Sequence, residues 1–378
     1  MGAAILSRSN PVLAVAFGGP SPEHDVSVLT GLPAVRELEK SGHDVLALYW
    51  SKTGEWHRVD NSVEAASFIE GVPPGSESLR LFVGEGGGYS SGGGRIGRPR
   101  PLPIDVIVNC CHGGPGEDGS LQAAFDLAGL AYTGPTVAGA AIGMDKLAFA
   151  GAVIAADVPA LPRRLVEPST TDVGFEGPYI VKPRFGGSSL GVELVEDLRT
   201  AVHRLDANSH LRHGAVIEPY REDLFDLNIA VRTAPILELS AIERPLRSEG
   251  LSEILGYADK YVGGEGMASA PRELPAKLDP QVEDELRALA HTVASVCQAR
   301  GVARIDFLSD GESIYVNEIN TVPGSLSRYL WVDPPVSFAE LLDDMVREAL
   351  ERPAARRSTL GADGTVLRSA GPIAGKLA

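Results

Sequence analysis

Polar side chains with catalytic potential cluster on two short predicted strands near the C-terminus, residues 304–307 and 316–320. The polar segment between them, residues 310–313, is typical of a tight turn. Side chains alternate between the two faces of a strand, so alternate residues share a face. The alternating polar residues are Arg304 and Asp306 on the first strand and Glu318 and Asn320 on the second. If the hairpin aligns these faces, the oxygen donors converge on a patch that suits Mg²⁺ held against a nucleotide.

The alternative interpretation of this hairpin is an ordinary solvated polar face. The neighbouring positions Ile305, Phe307, Val316 and Ile319 are apolar, which predicts that one face is buried. A hairpin that buries one face and gathers its functional groups on the other favours the metal-binding interpretation.

The overall composition limits the classes of partner. The 378 residues include 34 basic and 50 acidic ones, and the formal net charge is −16. This balance argues for no nucleic acid and no membrane among the partners, and no apolar run is long enough to span a bilayer. Residues 1–10 lack the features of a signal peptide, and the three cysteines follow no disulfide or metal-binding pattern. We therefore expect a cytoplasmic protein with two or three domains.

The order of predicted elements indicates an α/β fold. Strands alternate with helices over the first third of the chain, which predicts an N-terminal doubly wound parallel-sheet domain. The glycine-rich stretch Gly84–Pro103 reads as a mobile excursion. The predicted strands are Val12–Phe17, Val45–Trp50, Ile104–Asn109, Pro178–Pro183, Ala215–Pro219 and Leu227–Arg232, and the predicted helices are His24–Lys40, Leu121–Ala128 and Gln281–Arg300.

Two glycine-rich segments could approach phosphate groups. Residues 114–119 match G-x-G-x-x-G between a strand and a helix, which would indicate a dinucleotide site, but Glu117 and Asp118 would repel a pyrophosphate there. Residues 182–191 give a stronger signal, because Lys182 ends an apolar strand and glycines and serines follow it. This second segment is not a Walker A loop, and its alternative interpretation is a surface turn.

Taken together, these segments resemble the D-alanine–D-alanine ligase family of ATP-grasp enzymes, from about residue 12 to residue 330. The order and spacing of several segments carry the resemblance. They are Gly18–Ser27, His112–Gly119, Tyr132–Gly134, Met144–Lys146, Lys182–Gly191, Glu218, Asp259–Tyr261, Arg304–Phe307 and Asn317–Gly324.

The resemblance implies an ATP-grasp fold of two α+β sub-domains after the N-terminal domain. The expected boundaries are residues 1–145 for the substrate-binding domain, 146–220 for the central sub-domain, 221–350 for the C-terminal sub-domain with the metal site, and 351–378 for a loosely ordered tail. It also implies ATP and Mg²⁺ or Mn²⁺, with two ions, as cofactors, D-alanine or another small amino acid as substrate, and a homodimer.

The resemblance also assigns roles to residues. ATP would contact Lys146, Lys182, Ser188, Ser189, Glu218, Asp226 and Lys260. Glu218 would bind the adenine amino group and Asp226 the ribose, and the metal ions would be held by Asp306, Glu318 and Asn320. The catalytic residues would be Glu23, Ser188, Tyr261 and Arg304, and the amino-acid substrates would contact Glu23, His112, Gly324 and Tyr329. Residues 250–266 would form a lid that excludes water.

The implied reaction joins two D-alanines through an acyl-phosphate to give D-alanyl-D-alanine for peptidoglycan. Two departures bear on substrate and cofactor. Tyr329 stands where the family typically has a serine for the second amino acid, and Asp226 stands where a glutamate is usual. A ligase with a different acceptor in a specialised pathway and a non-catalytic nucleotide-binding relative therefore remain as alternatives, and a dehydrogenase built on residues 114–119 is a further one.

Overall fold

The computed structural model describes residues 11–92, 99–246, 271–353 and 358–370. Within these ranges the chain forms two large layered regions and a smaller central one, each built on a separate sheet. None of the helices in these ranges has the length and apolar content to span a bilayer.

The first region contains a sheet of eight strands in the order β6-β5-β4-β3-β2-β1-β7-β8. Strands β2, β1, β7 and β8 run parallel, and β3 to β6 add an antiparallel edge. The strands are β1 Val12–Gly18, β2 Asp44–Trp50, β3 Trp56–Val59, β4 Glu77–Phe82, β5 Gly88–Ser91, β6 Arg100–Pro101, β7 Val106–Asn109 and β8 Ala131–Tyr132. The prediction that Gly84–Pro103 forms an irregular excursion is wrong for β5 and β6, which pair into the sheet edge.

Helices cover both faces of this sheet, which explains why β1 is apolar at every position. The helices of the described ranges are α1 His24–Lys40, α2 Ser120–Ala128, α3 Val137–Met144, α4 Lys146–Ile154, α5 Leu198–Ala207, α6 Pro280–Val296, α7 Phe338–Glu351 and α8 Thr365–Arg368. Helices α1 and α7 pack on one face, and α2 packs on the other. Helix α7 thus returns from the C-terminal end of the chain to complete the N-terminal core.

Two antiparallel sheets of four strands follow in the remaining described ranges. The central one has the order β11-β10-β12-β9 and the C-terminal one β14-β13-β17-β18. Their strands are β9 Arg164–Val166, β10 Tyr179–Pro183, β11 Glu193–Val195, β12 Ala215–Pro219, β13 Phe225–Arg232, β14 Glu238–Leu239, β17 Val302–Ser309 and β18 Ile314–Asn320. A separate small pair joins β15 Arg244–Pro245 to β16 Arg272–Glu273.

The C-terminal sheet buries one face against α6 and α4, and this face carries the alternating apolar residues that the sequence predicts. Ile305, Phe307, Val316 and Ile319 all lie in that core. The opposite face of β13, β17 and β18 therefore has to carry the polar residues of these strands.

Close packing between α1 and β1 gives a prediction about two helical glycines. A Cβ atom added at Gly31 would lie 2.4 Å from Cβ of Phe17, whereas one added at Gly151 in α4 would meet no atom within 4 Å. We expect Gly31→Ala to lower the free energy of unfolding by about 1–3 kcal/mol through overpacking. The matched variant Gly151→Ala should raise it by up to about 1 kcal/mol through helix propensity. Urea denaturation of both variants measures the difference, and equal signs would contradict this account.

Candidate active site

Strand register aligns the polar residues of the C-terminal sheet in two rows. Asp306 on β17 lies opposite Asn228 on β13 and opposite Glu318 on β18. In the next row Arg304 lies opposite Ala230 and Asn320 in the same way. Directly opposed residues of antiparallel strands share a face, so these side chains point to the same side of the sheet.

A β-bulge in β18 makes this alignment possible. Asp306 pairs with Glu318 but Phe307 pairs with Val316, so Asn317 is the extra residue. Because of this residue, Val316 and Ile319 can both enter the core while Glu318 and Asn320 both face the site. The amide oxygen of Asn317 accepts a hydrogen bond from Nζ of Lys182 at 3.0 Å.

Arg304 and Asp306 form a bidentate pair on the polar face. Nε and Nη2 of Arg304 donate to the two carboxylate oxygens at 2.6 and 2.7 Å. Nδ2 of Asn320 donates to Oδ2 of Asp306 at 3.1 Å, which turns its amide oxygen away from the pair. Both members of the pair are buried, and such fork-like pairs fix geometry as well as charge.

The donor set on this face fits a hard cation. Asp306 and Glu318 supply carboxylate oxygens and Asn320 supplies an amide oxygen, the ligand types that Mg²⁺ prefers. No cluster of three or more His, Cys, Asp or Glu side chains with metal-binding spacing occurs within the described ranges. The protein would therefore contribute two carboxylates and one amide, and phosphate oxygens would have to complete the coordination shell.

Lys146 reaches the same face from the start of α4. Its Nζ donates to the carbonyl oxygen of Gly186 at 2.5 Å and lies 3.5 Å from a carboxylate oxygen of Glu318. Burial lowers the pKa of Lys146, and the charge of Glu318 opposes this shift. Asp145 caps α4 and forms a bidentate pair with Arg184, which fixes the backbone from which Lys146 extends.

Lys182, at the end of β10, belongs to a second buried charge cluster. Its Nζ donates to Oε2 of Glu218 at 2.8 Å, and Nε of Arg163 donates to Oε1 of the same carboxylate at 2.5 Å. Burial alone would raise the pKa of Glu218, but the Arg163 and Lys182 charges outweigh it and hold the pKa below the usual value. Two cations therefore share the carboxylate of Glu218. The family resemblance implies that this same carboxylate binds the adenine amino group.

The glycine-serine loop after β10 meets the N-terminal region. Oγ of Ser188 donates to the carboxylate of Glu23, which precedes α1. Ser188 and Ser189 have φ values of +54° and +57°, in the left-handed region. The loop from residue 112 approaches Glu23 from the other side, where a Cβ on Gly113 would lie 2.3 Å from Oε2 of Glu23. The predicted catalytic residues Glu23 and Ser188 are thus together. The predicted catalytic residue Tyr261, the predicted ATP contact Lys260 and the expected lid, residues 250–266, lie outside the described residues.

His112, which the family resemblance assigns to substrate binding, has hydrogen-bond partners at both ring nitrogens. Its Nδ1 donates to the carbonyl oxygen of Val322 at 2.6 Å, and Oγ1 of Thr30 donates to its Nε2 at 2.7 Å. Burial lowers the pKa of His112 to about 4, so the ring is neutral near pH 7. The backbone N–H of Ser325 donates in turn to Oγ1 of Thr30 at 3.0 Å.

Glu117 holds the same backbone segment from the other side. One carboxylate oxygen accepts from N–H of Val322 at 2.9 Å and from Oγ1 of Thr321 at 3.2 Å, and the other accepts from N–H of Gly113 at 2.9 Å. Glu117 is buried, so the G-x-G-x-x-G segment turns its acidic residue inward and does not present a pyrophosphate cradle. Sequence reasoning missed this role, because nothing in the motif indicates a partner about 200 residues away.

Tyr329, which the family resemblance assigns to the second amino acid, lies after β18 in the segment Gly324–Leu330. Its hydroxyl is buried and has no hydrogen-bond partner among the described residues. The guanidinium of Arg272 lies over the tyrosine ring, 4.8 Å from its centroid, and pairs with Glu243 at 2.8 Å. Burial raises the pKa of Tyr329, so the hydroxyl keeps its proton at neutral pH.

One cleft joins most of these groups. Of the residues expected from the sequence, Glu23, His112, Lys146, Ser188, Arg304, Glu318, Asn320 and Gly324 line it. Lys182 and Glu218 are not among the residues that line the cleft and pair with each other in the buried charge cluster. Asp226 is the second residue of β13, two residues before Asn228. Arg163, Glu117 and Asn317 are the contributing residues that sequence reasoning did not assign to the site.

Comparison with known proteins now identifies the family. The family model "D-ala D-ala ligase N-terminus" matches residues 12–135, and "D-ala D-ala ligase C-terminus" matches residues 140–347. The chain belongs to the D-alanine–D-alanine ligase family. A D-alanine–D-alanine ligase of Bradyrhizobium sp. strain BTAi1 is 30% identical over 369 residues, which cover 93% of this chain and 98% of the relative. The corresponding ligase of Mycobacterium bovis strain BCG is 31% identical, covering 90% and 95%.

Solved structures of the D-alanine–D-alanine ligase family share the fold. D-alanyl-alanine synthetase A of Vibrio cholerae has a TM-score of 0.73 at 23% identity, covering 91% of this chain and all of that one. The VanG D-Ala:D-Ser ligase of Enterococcus faecalis has a TM-score of 0.72 at 21% identity, covering 90% of this chain and 100% of that chain. These similarities confirm the predicted α/β architecture with an ATP-grasp portion.

The buried carboxyl of Glu117 gives a pH prediction. Burial, together with the nearby charge of Glu23, raises the pKa of Glu117 from 4.5 to about 7. Between these values the folded protein binds more protons than the unfolded chain, so the free energy of unfolding should fall as the pH rises. We expect the wild type to lose up to about 3 kcal/mol relative to Glu117→Gln between pH 5 and pH 8.

Urea denaturation at both pH values measures this effect. The control variant Glu70→Gln removes an exposed carboxyl and should follow the wild type at both pH values. A Glu117→Gln variant whose stability also runs parallel to that of the wild type would show that Glu117 does not titrate in this range.

Proposed function

We propose that this protein joins two D-alanine molecules in an ATP-dependent, ADP-forming reaction that supplies D-alanyl-D-alanine for peptidoglycan. The family assignment supports ligation, and the cleft supports the proposed roles of its residues. The observation that carries the proposal is the convergence of the Glu23–Ser188 contact, the Arg304–Asp306 pair and the Lys146–Glu318 pair on one cleft.

The charges of the cleft suit the two ends of such a reaction. Glu23 offers a carboxylate to the ammonium group of the first amino acid. Gly113 leaves room for this carboxylate, because a Cβ atom at position 113 would lie 2.3 Å from Oε2 of Glu23. Arg304 is a fixed cation in a buried site, suited to stabilise the oxyanion that develops at the reacting carboxyl carbon. Lys146 and Lys182 approach from the other side, where the phosphates of ATP would bind.

The metal-ligand residues complete this arrangement. Asp306, Glu318 and Asn320 would hold Mg²⁺ or Mn²⁺, which neutralises phosphate charge during transfer. A carboxylate has about four lone-pair sites, so Asp306 can keep its pair with Arg304 and still offer oxygen to a metal ion. His112 is neutral and held on both nitrogens, so its role is to shape the substrate side of the cleft rather than to shuttle a proton.

The direct test supplies ATP, Mg²⁺ and D-alanine and measures phosphate release together with the mass of the product. The proposal expects one phosphate for each D-alanyl-D-alanine formed. Nucleotide binding without turnover on any amino acid would instead favour the non-catalytic relative. The cytoplasmic location, expected from the composition, and the homodimer, implied by the family resemblance, stay predictions.

The metal-binding carboxylates generate a prediction. Glu318→Gln removes one negative charge from the proposed metal site with little change in shape, so we expect kcat to fall by at least about 100-fold. Glu312→Gln, in the exposed turn of the same hairpin, is the matched control and should retain wild-type turnover. Steady-state phosphate release measures both variants, and a Glu318→Gln variant with wild-type kcat would remove Glu318 from the site.

A second candidate function, ligation to a different acceptor, is favoured by Tyr329 and its surroundings. We propose that the tyrosine ring, with the guanidinium of Arg272 over it, borders the second amino acid and restricts its size. We expect Tyr329→Ser to change the relative kcat/KM among acceptor amino acids about 10-fold or more while KM for ATP stays within twofold.

Acceptor competition, analysed by mass spectrometry, measures this change. The control variant is Tyr315→Ser. Tyr315 lies near the start of β18, away from Glu318 and Asn320, and interacts with Arg221, so this change should leave the acceptor profile unchanged. An unchanged profile in Tyr329→Ser as well would mean that Tyr329 does not contact the acceptor.

A further inference from the structure

Arg163 makes an unusual set of contacts for a residue in a connecting segment. It lies between α4 and β9, and 5% of its side chain is exposed. Its Nε donates to Oε1 of Glu218 at 2.5 Å, its Nη1 to the carbonyl oxygen of Lys146 at 2.8 Å, and its Nη2 to the carbonyl oxygen of Asn317 at 3.0 Å. One planar guanidinium thus joins three segments that are distant in sequence.

Each of these three segments carries, or directly binds, one of the two lysines that are expected to contact the phosphates of ATP. Lys146 extends its own side chain to the cleft, and Glu218 and Asn317 both accept hydrogen bonds from Nζ of Lys182. Asn317 also precedes Glu318, which lies 3.5 Å from Nζ of Lys146. Arg163 therefore fixes the spacing between the two lysines through atoms that belong to, or directly bind, each of them.

The charge balance of this cluster points to an anionic ligand. Lys146 lies 3.5 Å from Glu318, and Arg163 and Lys182 lie 2.5 and 2.8 Å from Glu218, so three cations share two carboxylates. Buried charge is costly unless it is balanced. The excess positive charge is therefore an arrangement that an incoming polyphosphate would complete.

Removal of Arg163 would release this arrangement. Glu218 would lose one of its two cations, and its freed oxygen would attract the neighbouring ammonium groups. The lysines would then pair more closely with protein carboxylates and would be less available to phosphate. A lysine at position 163 keeps the charge, but its single nitrogen cannot reproduce three donors in a fixed plane.

We propose that Arg163 is a positioning residue that holds Lys146 and Lys182 at the separation needed to bind the polyphosphate of a nucleotide. This inference rests on the proposed function, because it assumes that ATP binds in this cleft. It assigns Arg163 no contact with the substrate, since all three of its bonds run to protein atoms.

The test compares binding of a non-hydrolysable ATP analogue, adenylyl imidodiphosphate, with binding of AMP, each measured by calorimetry. Arg163→Lys should weaken binding of the triphosphate analogue by about 10-fold to 100-fold. Binding of AMP, which the change would reach only through Glu218 and the adenine, should weaken by a clearly smaller factor. A purely structural role would weaken both ligands equally, and that result would overturn the proposal. Wild-type affinity for the analogue in Arg163→Lys would overturn it as well.

Arg300→Lys is the matched control. Arg300 is also buried, and its guanidinium donates to the backbone carbonyl oxygens of Tyr132, Gly134 and Arg352, which belong to two segments distant in sequence. We expect Arg300→Lys to lower stability without a selective loss of the triphosphate analogue. A selective loss in this variant too would show that the effect is not specific to Arg163.

A rescue experiment covers the case in which Arg163→Lys folds poorly. Methylguanidinium at millimolar concentration should restore part of the affinity of Arg163→Ala for the triphosphate analogue. The same compound should not change binding of the analogue to Arg300→Ala. Absence of rescue in a folded Arg163→Ala variant would count against the proposal.

Failure of the proposed function would look different. A wild type that binds the analogue but forms no D-alanyl-D-alanine would leave Arg163 in place, whereas a wild type that binds no analogue would overturn both.

Discussion

The pairing of buried charges is the constraint on which the rest of the site depends. A buried ion is costly unless a partner of opposite charge lies within hydrogen-bond distance. Arg304 meets this condition with Asp306, and Lys182 meets it with Glu218. The second pair connects β10 to β12 within the central sheet, and the contacts of Lys182 and Arg163 with Asn317 extend it to the C-terminal sheet. Charge neutralisation and the relative placement of the two sheets are therefore one requirement.

The bulge at Asn317 shows how the same strand can serve a core and a site. Strict alternation would place Val316, Glu318 and Asn320 on one face, but Val316 is buried in the core while the other two line the cleft. The sequence contains this conflict, because the apolar residues Val316 and Ile319 are three positions apart. The predicted patch of Arg304, Asp306, Glu318 and Asn320 follows from alternation and pairing, whereas the bulge can be read from the sequence only as a break in period.

Local patterns predicted eight of the described strands and three of the described helices, since these depend on periodicity within a few residues; the strands are β1, β2, β7, β10, β12, β13, β17 and β18, and the helices are α1, α2 and α6. Helix α1, for example, has the predicted bounds His24–Lys40. The contributions of Arg163 and Glu117 could not be predicted in this way, because their partners Asn317 and Val322 are 154 and 205 residues away. The family resemblance supplied roles for conventional motif positions but none for residues that act through others. The paired strands β5 and β6 were missed because glycine and proline dominate their surroundings.

The return of helix α7 to the N-terminal sheet bears on how such proteins can recombine. The two family models meet between residues 135 and 140, which suggests two exchangeable modules. Yet α7 covers a face of the first sheet, and Thr30 and Glu117 hold the backbone of Ser325 and Val322. A chimaera joined at that boundary would mix two surfaces that had adapted to different counterparts. Successful exchange between relatives would have to transfer α7 and the segment after Asn320 together with the N-terminal half. Both are distant in sequence from the N-terminal half that they contact.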